Sequence, residues 1–308
     1  MTEDVLLTIS DFSVTYDVDP PVEAVRDVSL QLKRGEILGL AGESGSGKTT
    51  LAYGIQRLLK PPAVITGGSA LFRDASGELI DIGALTDDEM RRFRWDKASM
   101  VFQGAMNALN PVINIGRQLG DVFVAHRPEM SRAERTRRCG DLLDMVGVGR
   151  DRLKSFPHEL SGGMRQRVMI AMALALHPQL MIMDEPTTAL DVLVQREILR
   201  QISDLRREFG FSVVFITHDL PLLLEISDRI AVMRHGRIVE LDTAANIYRD
   251  PQHEYTRRLL SSFPSLTGER GDFVRGSASD ADTAPPASPS ADAASTDASA
   301  DAETEVPA

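Results

Sequence analysis

The stretch EILGLAGESGSGKTTLAYGIQRLL, residues 36–59, decides the fold. It opens with a short apolar run that stops at glycine, which is typical of a buried parallel strand. A glycine-rich loop follows, and KTTLAYGIQRLL then has the spacing of a helix. The order strand, glycine-rich loop and helix predicts an α/β core that carries a phosphate-binding loop.

The loop GESGSGKTT, residues 42–50, fits the pattern G-x-x-x-x-G-K-[ST]. Its glycines let the backbone curl so that N–H groups surround the β- and γ-phosphates of a nucleotide. Lys48 neutralises those phosphates, and the hydroxyl of Thr49 is placed to bind Mg²⁺. The predicted phosphate site is the whole loop, namely Gly42, Glu43, Ser44, Gly45, Ser46, Gly47, Lys48, Thr49 and Thr50.

Polar side chains follow three further apolar runs. In LMIMDEP the apolar run is followed by Asp184, in reach of the Mg²⁺ shell. Glu185 comes next and points at the position of an attacking water. MVFQG places Gln103 after a second run, and VVFITHD places His218 after a third. Because the strands of an α/β sheet end at one edge, we expect these side chains to face one γ-phosphate.

The sequence pattern changes along the chain from mixed strands and helices to a helical segment and back. Residues 5–41 alternate β-type runs with turns, and strands and helices alternate again from residue 178. The pattern between about 85 and 165 is helical, with Ser131 and Glu134 spaced as a capping box. We therefore predict an α/β core that is interrupted by a mostly helical insert.

A second anion-binding feature lies in PHELSGGMRQRVMIAMALAL, residues 157–176. Gly162 and Gly163 stand where a helix begins, and each is less favourable there than alanine by about 0.5–1 kcal/mol. Ser161 can cap this helix, and a helix start with free N–H groups attracts anions. The chain thus has a second candidate phosphate site in addition to the loop at 42–50.

Composition sets limits on the class of protein. The chain has 308 residues, of which 43% are hydrophobic and 26% charged, as in ordinary globular proteins. MTEDVLLTIS lacks the pattern of a signal peptide, so we expect a cytoplasmic protein. The single cysteine, Cys139, excludes an internal disulfide, and its helical neighbours indicate a structural role. The globular part has no strongly basic face, so we expect no nucleic-acid partner.

The C-terminal stretch has a different composition. After Arg275 there is no lysine or arginine, and alanine, serine, aspartate, threonine and proline dominate. Such a segment buries too little apolar surface to offset the entropy of ordering. We predict a disordered acidic tail over 269–308, with a solvating role favoured over that of an interaction arm.

The phosphate loop, LSGGMRQR, LMIMDEP, TTALD and ITHD, in this order, resemble the ATP-binding subunits of ATP-binding cassette (ABC) transporters over about residues 5–265. The resemblance implies a P-loop ATPase domain over residues 1–268, with an N-terminal antiparallel β subdomain and an inserted α-helical subdomain at about 85–165. It also implies ATP and Mg²⁺ as cofactors and ATP hydrolysis as the activity.

The resemblance implies a head-to-tail pair of such domains, with ATP held between the phosphate loop of one subunit and LSGG of the other. Tyr16 would stack on adenine, Glu185 would be the general base and His218 would contact the γ-phosphate. Gln103 would sense Mg²⁺ and the attacking water, so that the metal set is Thr49, Gln103 and Asp184. The residues that would serve the partner's nucleotide or cross the dimer interface are Ser161, Gly162, Gly163, Gln166 and Asp191.

Within this family, the chain resembles the peptide and nickel import group through TTALDVLVQ and DPQHEYTRRLLSSFPSL. It departs from that group at Leu193, where threonine is common, at GAMNALNP (104–111), and in lacking a late cysteine cluster. The implied substrate is an oligopeptide or dipeptide, with a β-linked oligosaccharide as the alternative. The implied partners are a second ATPase subunit, identical or different, two membrane permeases and an extracellular solute-binding protein. The implied location is the cytoplasmic face of the membrane, as a peripheral subunit.

Other members of the superfamily fit less well. A DNA-repair ATPase of this kind would carry a long coiled coil between Lys48 and Ser161, and no sustained heptads lie there. A ribosome-binding member would carry two cassettes, and an exporter is usually fused to its membrane domain. A GTPase would need Asn-Lys-x-Asp, which the sequence lacks. A soluble ABC ATPase without a transport role is the remaining, less favoured alternative.

Overall fold

The computed structural model describes residues 4–188 and 190–262. The tail predicted at 269–308 lies outside these residues, and its disorder stays a prediction. The described strands are β1 (Val5–Tyr16), β2 (Val22–Lys33), β3 (Ile37–Ala41), β4 (Ala63–Arg73), β5 (Leu79–Asp81), β6 (Ala98–Val101), β7 (Leu180–Asp184), β8 (Ser212–Ile216), β9 (Arg229–Arg234) and β10 (Arg237–Thr243). The described α-helices are α1 (Lys48–Ile55), α2 (Asp87–Asp96), α3 (Ile115–His126), α4 (Arg132–Met145), α5 (Gly162–Leu174), α6 (Val192–Phe209), α7 (Leu220–Ile226), α8 (Ala244–Arg249) and α9 (Glu254–Ser261).

A six-stranded sheet forms the centre, in the order β10-β9-β3-β8-β7-β6. Its strands are parallel except for the edge strand β10, which is antiparallel to β9. The inner strands β3, β7 and β8 are buried along their whole length, because both faces of a parallel sheet are covered. In β8, Val213 and Phe215 face one hydrophobic cluster, whereas Val214 and Ile216 face another. The predicted α/β fold is confirmed.

A second sheet of four antiparallel strands, in the order β2-β1-β4-β5, packs over one of these clusters together with α1. β1 and β2 follow the predicted β-type runs. β4 and β5 were not predicted, because their segment contains glycines and exposed positions in place of a continuous apolar run. They complete the antiparallel β subdomain.

The segment 85–165 is less uniform than predicted. α2 packs on the four-stranded antiparallel sheet, where the ring of Phe93 contacts that of Phe72 on β4 edge to face, with 5.1 Å between the ring centroids. β6 pairs with β7 and belongs to the central sheet. The helices that form the insert proper are α3 and α4, which contact each other and α5.

The capping box predicted in this insert is only half formed. Ser131 Oγ accepts from the backbone N–H of Glu134 at 3.2 Å. The Glu134 carboxylate, however, pairs with the Arg137 guanidinium, with a contact of 2.6 Å. A bidentate charged pair is stronger than a bond to a neutral N–H group, so the carboxylate does not return to the cap.

Cys139 lies inside the insert and is 1% exposed. Burial raises the pKa of its thiol to about 11. Since the thiolate is the reactive form, this cysteine is inert at neutral pH, in agreement with the predicted structural role.

Across residues 4–188 and 190–262, no helix combines the length and the apolar character that crossing a bilayer requires.

Candidate functional site

The phosphate loop joins β3 to α1, and two of its glycines are required by close backbone contacts. Gly42 has φ 150°, and a Cβ there would lie 2.2 Å from Met233 O. Gly47 has φ 104°, and a Cβ there would lie 2.3 Å from Ala24 O. Both distances are shorter than any side chain tolerates, so the backbone of the loop is fixed against its neighbours.

Lys48 lies inside this loop. Its Nζ donates to Gly42 O at 2.7 Å, to Glu43 O at 2.8 Å and to Ser46 Oγ at 3.3 Å. Burial lowers the pKa of Lys48, and the carboxylates of Glu185, Asp184 and Glu43 oppose this shift. The loop thus holds a cation among its own oxygens, as a phosphate site requires.

Asp184, at the carboxyl end of β7, is fully buried beside Thr49. Thr49 Oγ1 donates to Asp184 Oδ1 at 3.1 Å, while Asp184 Oδ2 is buried and has no partner among the described residues. Burial raises the pKa of this carboxyl group. An orphaned carboxylate oxygen beside a hydroxyl suits Mg²⁺, which binds few protein oxygens and takes the rest from phosphates and water. The residues present therefore fit the predicted metal.

Glu185 is the meeting point of the three strand ends that were predicted to converge. Gln103 Nε2 donates to Glu185 Oε2 at 3.0 Å, and His218 Nδ1 lies 3.1 Å from Glu185 Oε1. Thr188 Oγ1 also donates to Oε2, at 3.1 Å. These contacts arise because β6, β7 and β8 are neighbours in the sheet. The structure brings the predicted trio together.

Glu185 itself has φ 45°, a conformation in which few residues other than glycine are found. Its backbone N–H donates to Ile216 O at 2.9 Å, which extends the pairing of β7 with β8 by one residue. Such local strain is common where a side chain must be aimed at a reacting group.

A cavity of about 510 Å³ lies over the phosphate loop. This size falls within the range of small-molecule sites. Tyr16 lines it, with its hydroxyl 3.4 Å from Thr50 Oγ1. The predicted residues in the lining are Tyr16, Ser44, Gly45, Gly47, Lys48, Thr49, Thr50, Gln103 and Glu185.

The cavity also has a wall that sequence reasoning missed. It consists of residues 22–24 and Arg26 on β2, together with His235 and Gly236 in the turn between β9 and β10. Gly236 N–H donates to Ser46 O at 3.0 Å, so the turn touches the phosphate loop. The signal was available, since β9 runs parallel to β3 and both therefore end at the same edge of the sheet.

The LSGG region lies elsewhere. Ser161 caps α5 by accepting from Met164 N–H at 3.2 Å, as predicted, and its residue surface is exposed. Gly163 has a packing role, since a Cβ there would lie 2.7 Å from Val194 Cγ1. Within the described ranges, the lining of the phosphate-loop cavity includes none of Ser161, Gly162, Gly163, Gln166 and Asp191.

Two of these residues have local contacts of their own. Asp191 caps α6 by accepting from Val194 N–H at 3.0 Å. Gln166 is 1% exposed, and its Nε2 has no partner in the described part of the chain. This donor is enclosed by the chain itself.

Known proteins are similar to this chain in sequence and in fold. The family model described as "ABC transporter" matches residues 25–188. The oligopeptide transport ATP-binding protein OppD of Bacillus subtilis (strain 168) is 42% identical over 265 residues, which are 85% of this chain and 72% of that protein. The dipeptide transport ATP-binding protein DppD of the same organism is 44% identical over 248 residues, 80% of this chain and 72% of that protein.

A solved structure also superimposes on this chain. The ATP-binding cassette MJ0796, in a dimeric post-hydrolysis state with ADP and Pi, is 30% identical, with a TM-score of 0.67. The match covers 78% of this chain and 99% of that one. With the phosphate loop and the Glu185 contacts on the same framework, this chain belongs to the ABC transporter family as one of its ATP-binding ATPase subunits.

Proposed function

We propose that this chain hydrolyses ATP as one subunit of an importer for oligopeptides or dipeptides, through an ATPase domain over residues 1–268. The observation that carries the hydrolytic role is the Glu185 carboxylate, held by Gln103 and His218 beside the phosphate loop. The names of the relatives support a peptide as the transported substrate, since OppD and DppD are described as oligopeptide and dipeptide transport ATP-binding proteins.

The metal site of this proposal consists of Thr49, Asp184 and Gln103. Mg²⁺, when bound with ATP, neutralises charge on the β- and γ-phosphates. Thr49 would supply a hydroxyl oxygen, and Asp184 would supply the buried Oδ2, which lacks a partner within residues 4–188 and 190–262. Gln103, whose amide already contacts Glu185, would link the metal shell to the attacking water.

Hydrolysis then depends on proton transfer at Glu185. Its carboxylate accepts a proton from the water that attacks the γ-phosphate. His218, with its side chain largely exposed, contacts the other oxygen of this carboxylate and is free to reach the γ-phosphate. Lys48 and the loop N–H groups stabilise the charge that develops on the phosphate oxygens. Tyr16 stacks on the adenine at the mouth of the cavity.

The second nucleotide contact would belong to a partner ATPase subunit, identical or different. Ser161, Gly162 and Gly163 present an N-terminal helix end to solvent, outside the cavity of their own phosphate loop. Val192 and Leu193, directly after Asp191, are 64% and 74% exposed. Apolar side chains in that position suit a protein interface. Gln166 is 1% exposed, so it would serve this interface only through a rearrangement of its side chain.

Two membrane permeases would dock on the helical insert. A cleft of about 470 Å³ lies between α3 and α4, and its lining has three arginines, Arg117, Arg132 and Arg135, against one carboxylate, Asp121. None of the three forms an ion pair within residues 4–188 and 190–262. Gly120 lines the same cleft, and a Cβ there would meet nothing within 4 Å. We infer that an acidic cytoplasmic segment of the permease fills this space.

This docking has a direct test. The double variant R132E/R135E should lose copurification with the permease subunits, because the charge that attracts the acidic segment is reversed. Arg91→Glu is the matched control, since Arg91 lies on α2 with a largely exposed side chain and pairs only with Asp88 three residues away. Full copurification of the double variant would contradict the docking site.

The substrate is tested with the assembled transporter in vesicles, including the permeases and the extracellular solute-binding protein. Di- and oligopeptides should stimulate ATP hydrolysis and be taken up. Cello-oligosaccharides should do neither, since the β-linked oligosaccharide is the second candidate. Stimulation by the sugars alone would overturn peptide import and leave the ATPase assignment intact.

In this proposal the chain lies on the cytoplasmic face of the membrane as a peripheral subunit.

A further inference from the structure

The late stretch DPQHEYTRRLL has no role in the site described so far, yet it contacts the phosphate loop. Tyr255, on α9, accepts a hydrogen bond through its hydroxyl from the backbone N–H of Glu43 at 3.1 Å. Tyr255 is 4% exposed, so this N–H finds its partner away from solvent. Glu43 is the second residue of the loop, directly after Gly42.

Lys48 contacts the carbonyl oxygens on either side of this N–H group. Glu43 O accepts from Lys48 Nζ at 2.8 Å, and Gly42 O accepts from it at 2.7 Å. Gly42 O lies in the same peptide plane as the Glu43 N–H, so a change in the direction of this N–H moves an oxygen that positions Lys48. Among the described residues, Tyr255 is not part of the cavity lining, so it would act through the loop.

Tyr255 is itself anchored. The Arg234 guanidinium lies 4.8 Å from the centroid of its ring, a cation–π contact. His253 Nδ1 accepts from Tyr255 N–H at 3.1 Å and caps α9. Glu240 on β10 accepts from the N–H groups of Gln252 at 2.7 Å and His253 at 3.0 Å. The ring is thus fixed by β9 and β10 before it reaches the loop.

We propose that Tyr255 is a positioning residue for nucleotide binding, which holds the phosphate loop in the shape that receives ATP. The inference rests on the proposed function of that loop. Without the hydroxyl, the Glu43 N–H loses its buried partner, and the loop samples other shapes. The apparent affinity for ATP is then reduced in proportion to the fraction of loops that remain competent. Glu185, Gln103 and His218 are untouched, so turnover at saturating ATP stays the same.

The test compares two single-hydroxyl deletions on α9. Tyr255→Phe removes the acceptor and keeps the ring over which Arg234 lies. Thr256→Val is the matched control, because Thr256 is 0% exposed and its Oγ1 has no partner in the described residues. The measurements are the ATP dissociation constant of the full chain, KM and kcat of the assembled ATPase, and the melting temperature.

Tyr255→Phe should raise the dissociation constant and KM for ATP about two- to tenfold, the equivalent of one hydrogen bond. Its kcat should stay within twofold of wild type, and Thr256→Val should change neither constant. A lower melting temperature with unchanged ATP affinity would make Tyr255 merely structural and overturn the inference. So would an equal loss of affinity in Thr256→Val. Failure of wild-type protein to bind ATP would instead refute the proposed function.

Discussion

The Glu185 carboxylate lies 3.1 Å from His218 Nδ1 through Oε1, while its other oxygen accepts from Gln103. The carboxylate is therefore oriented by side chains from two neighbouring strand ends. An oriented base that is not in an ion pair with a permanent cation remains free to take a proton.

Glu185→Gln should keep ATP binding and lose hydrolysis about 10²–10⁴-fold, since the amide preserves the contacts but accepts no proton. The measurement is phosphate release at saturating ATP beside a nucleotide-binding assay. Glu208→Gln on the exposed face of α6 is the control and should behave as wild type. Normal turnover in Glu185→Gln would rule out the general base.

Asp184→Asn should abolish Mg²⁺-dependent ATPase activity without destabilising the nucleotide-free chain. Burial raises the pKa of Asp184 in the folded state, so its carboxylate destabilises the fold above that pKa. The melting temperature of Asp184→Asn should thus equal or exceed that of wild type at neutral pH. The difference should shrink as pH falls through the raised pKa, because protonation removes the buried charge of the wild type. A variant that melts well below wild type at pH 7 would contradict this reading.

Cys139 should resist thiol reagents in the native chain. Its thiol is buried, and its pKa of about 11 leaves almost no thiolate at pH 7 to 8. Labelling with a maleimide should proceed only after denaturant is added. Stoichiometric labelling of folded protein would show that the insert opens.

The two glycines after Ser161 should respond differently to alanine. Helix propensity favours alanine at both positions by about 0.5–1 kcal/mol. At Gly162 a Cβ meets Leu190 Cδ2 at an ordinary 3.5 Å, whereas at Gly163 it meets Val194 Cγ1 at 2.7 Å. Gly162→Ala should therefore keep or raise the melting temperature, and Gly163→Ala should lower it. Adding Val194→Ala to Gly163→Ala should restore part of the loss, and no restoration would disprove the steric cause.

Much of the site could be predicted from sequence because its chemistry is local. The spacing from Gly42 to Thr49 defines a loop by itself, and Gln103, Glu185 and His218 each follow a short apolar run that is typical of a buried strand. Parallel strands then bring the three side chains to one edge, a consequence of topology that needs no contact to be known in advance.

The parts that sequence reasoning missed depend on contacts between distant segments. β4 and β5 have exposed and glycine positions, so their pairing with β1 is decided by the partner strand and leaves no clear pattern. The bond from Glu43 to Tyr255 joins residues 212 positions apart. At Ser131 a local pattern was only partly correct. Its spacing to Glu134 predicts a capping box, but the Glu134 carboxylate pairs with Arg137 instead.

In the proposed dimer, each ATP lies between the phosphate loop of one subunit and LSGG of the other. Ser161→Arg tests it most directly, with Lys48→Ala as the reversed control, through the ATP affinity of the isolated chain and the ATPase rate of the assembled transporter. Ser161→Arg should bind ATP normally when isolated and fail to hydrolyse it at the site that uses the partner's loop, whereas Lys48→Ala should lose affinity already in isolation. An isolated Ser161→Arg chain that loses ATP affinity, while the assembled transporter keeps its activity, would contradict the head-to-tail account.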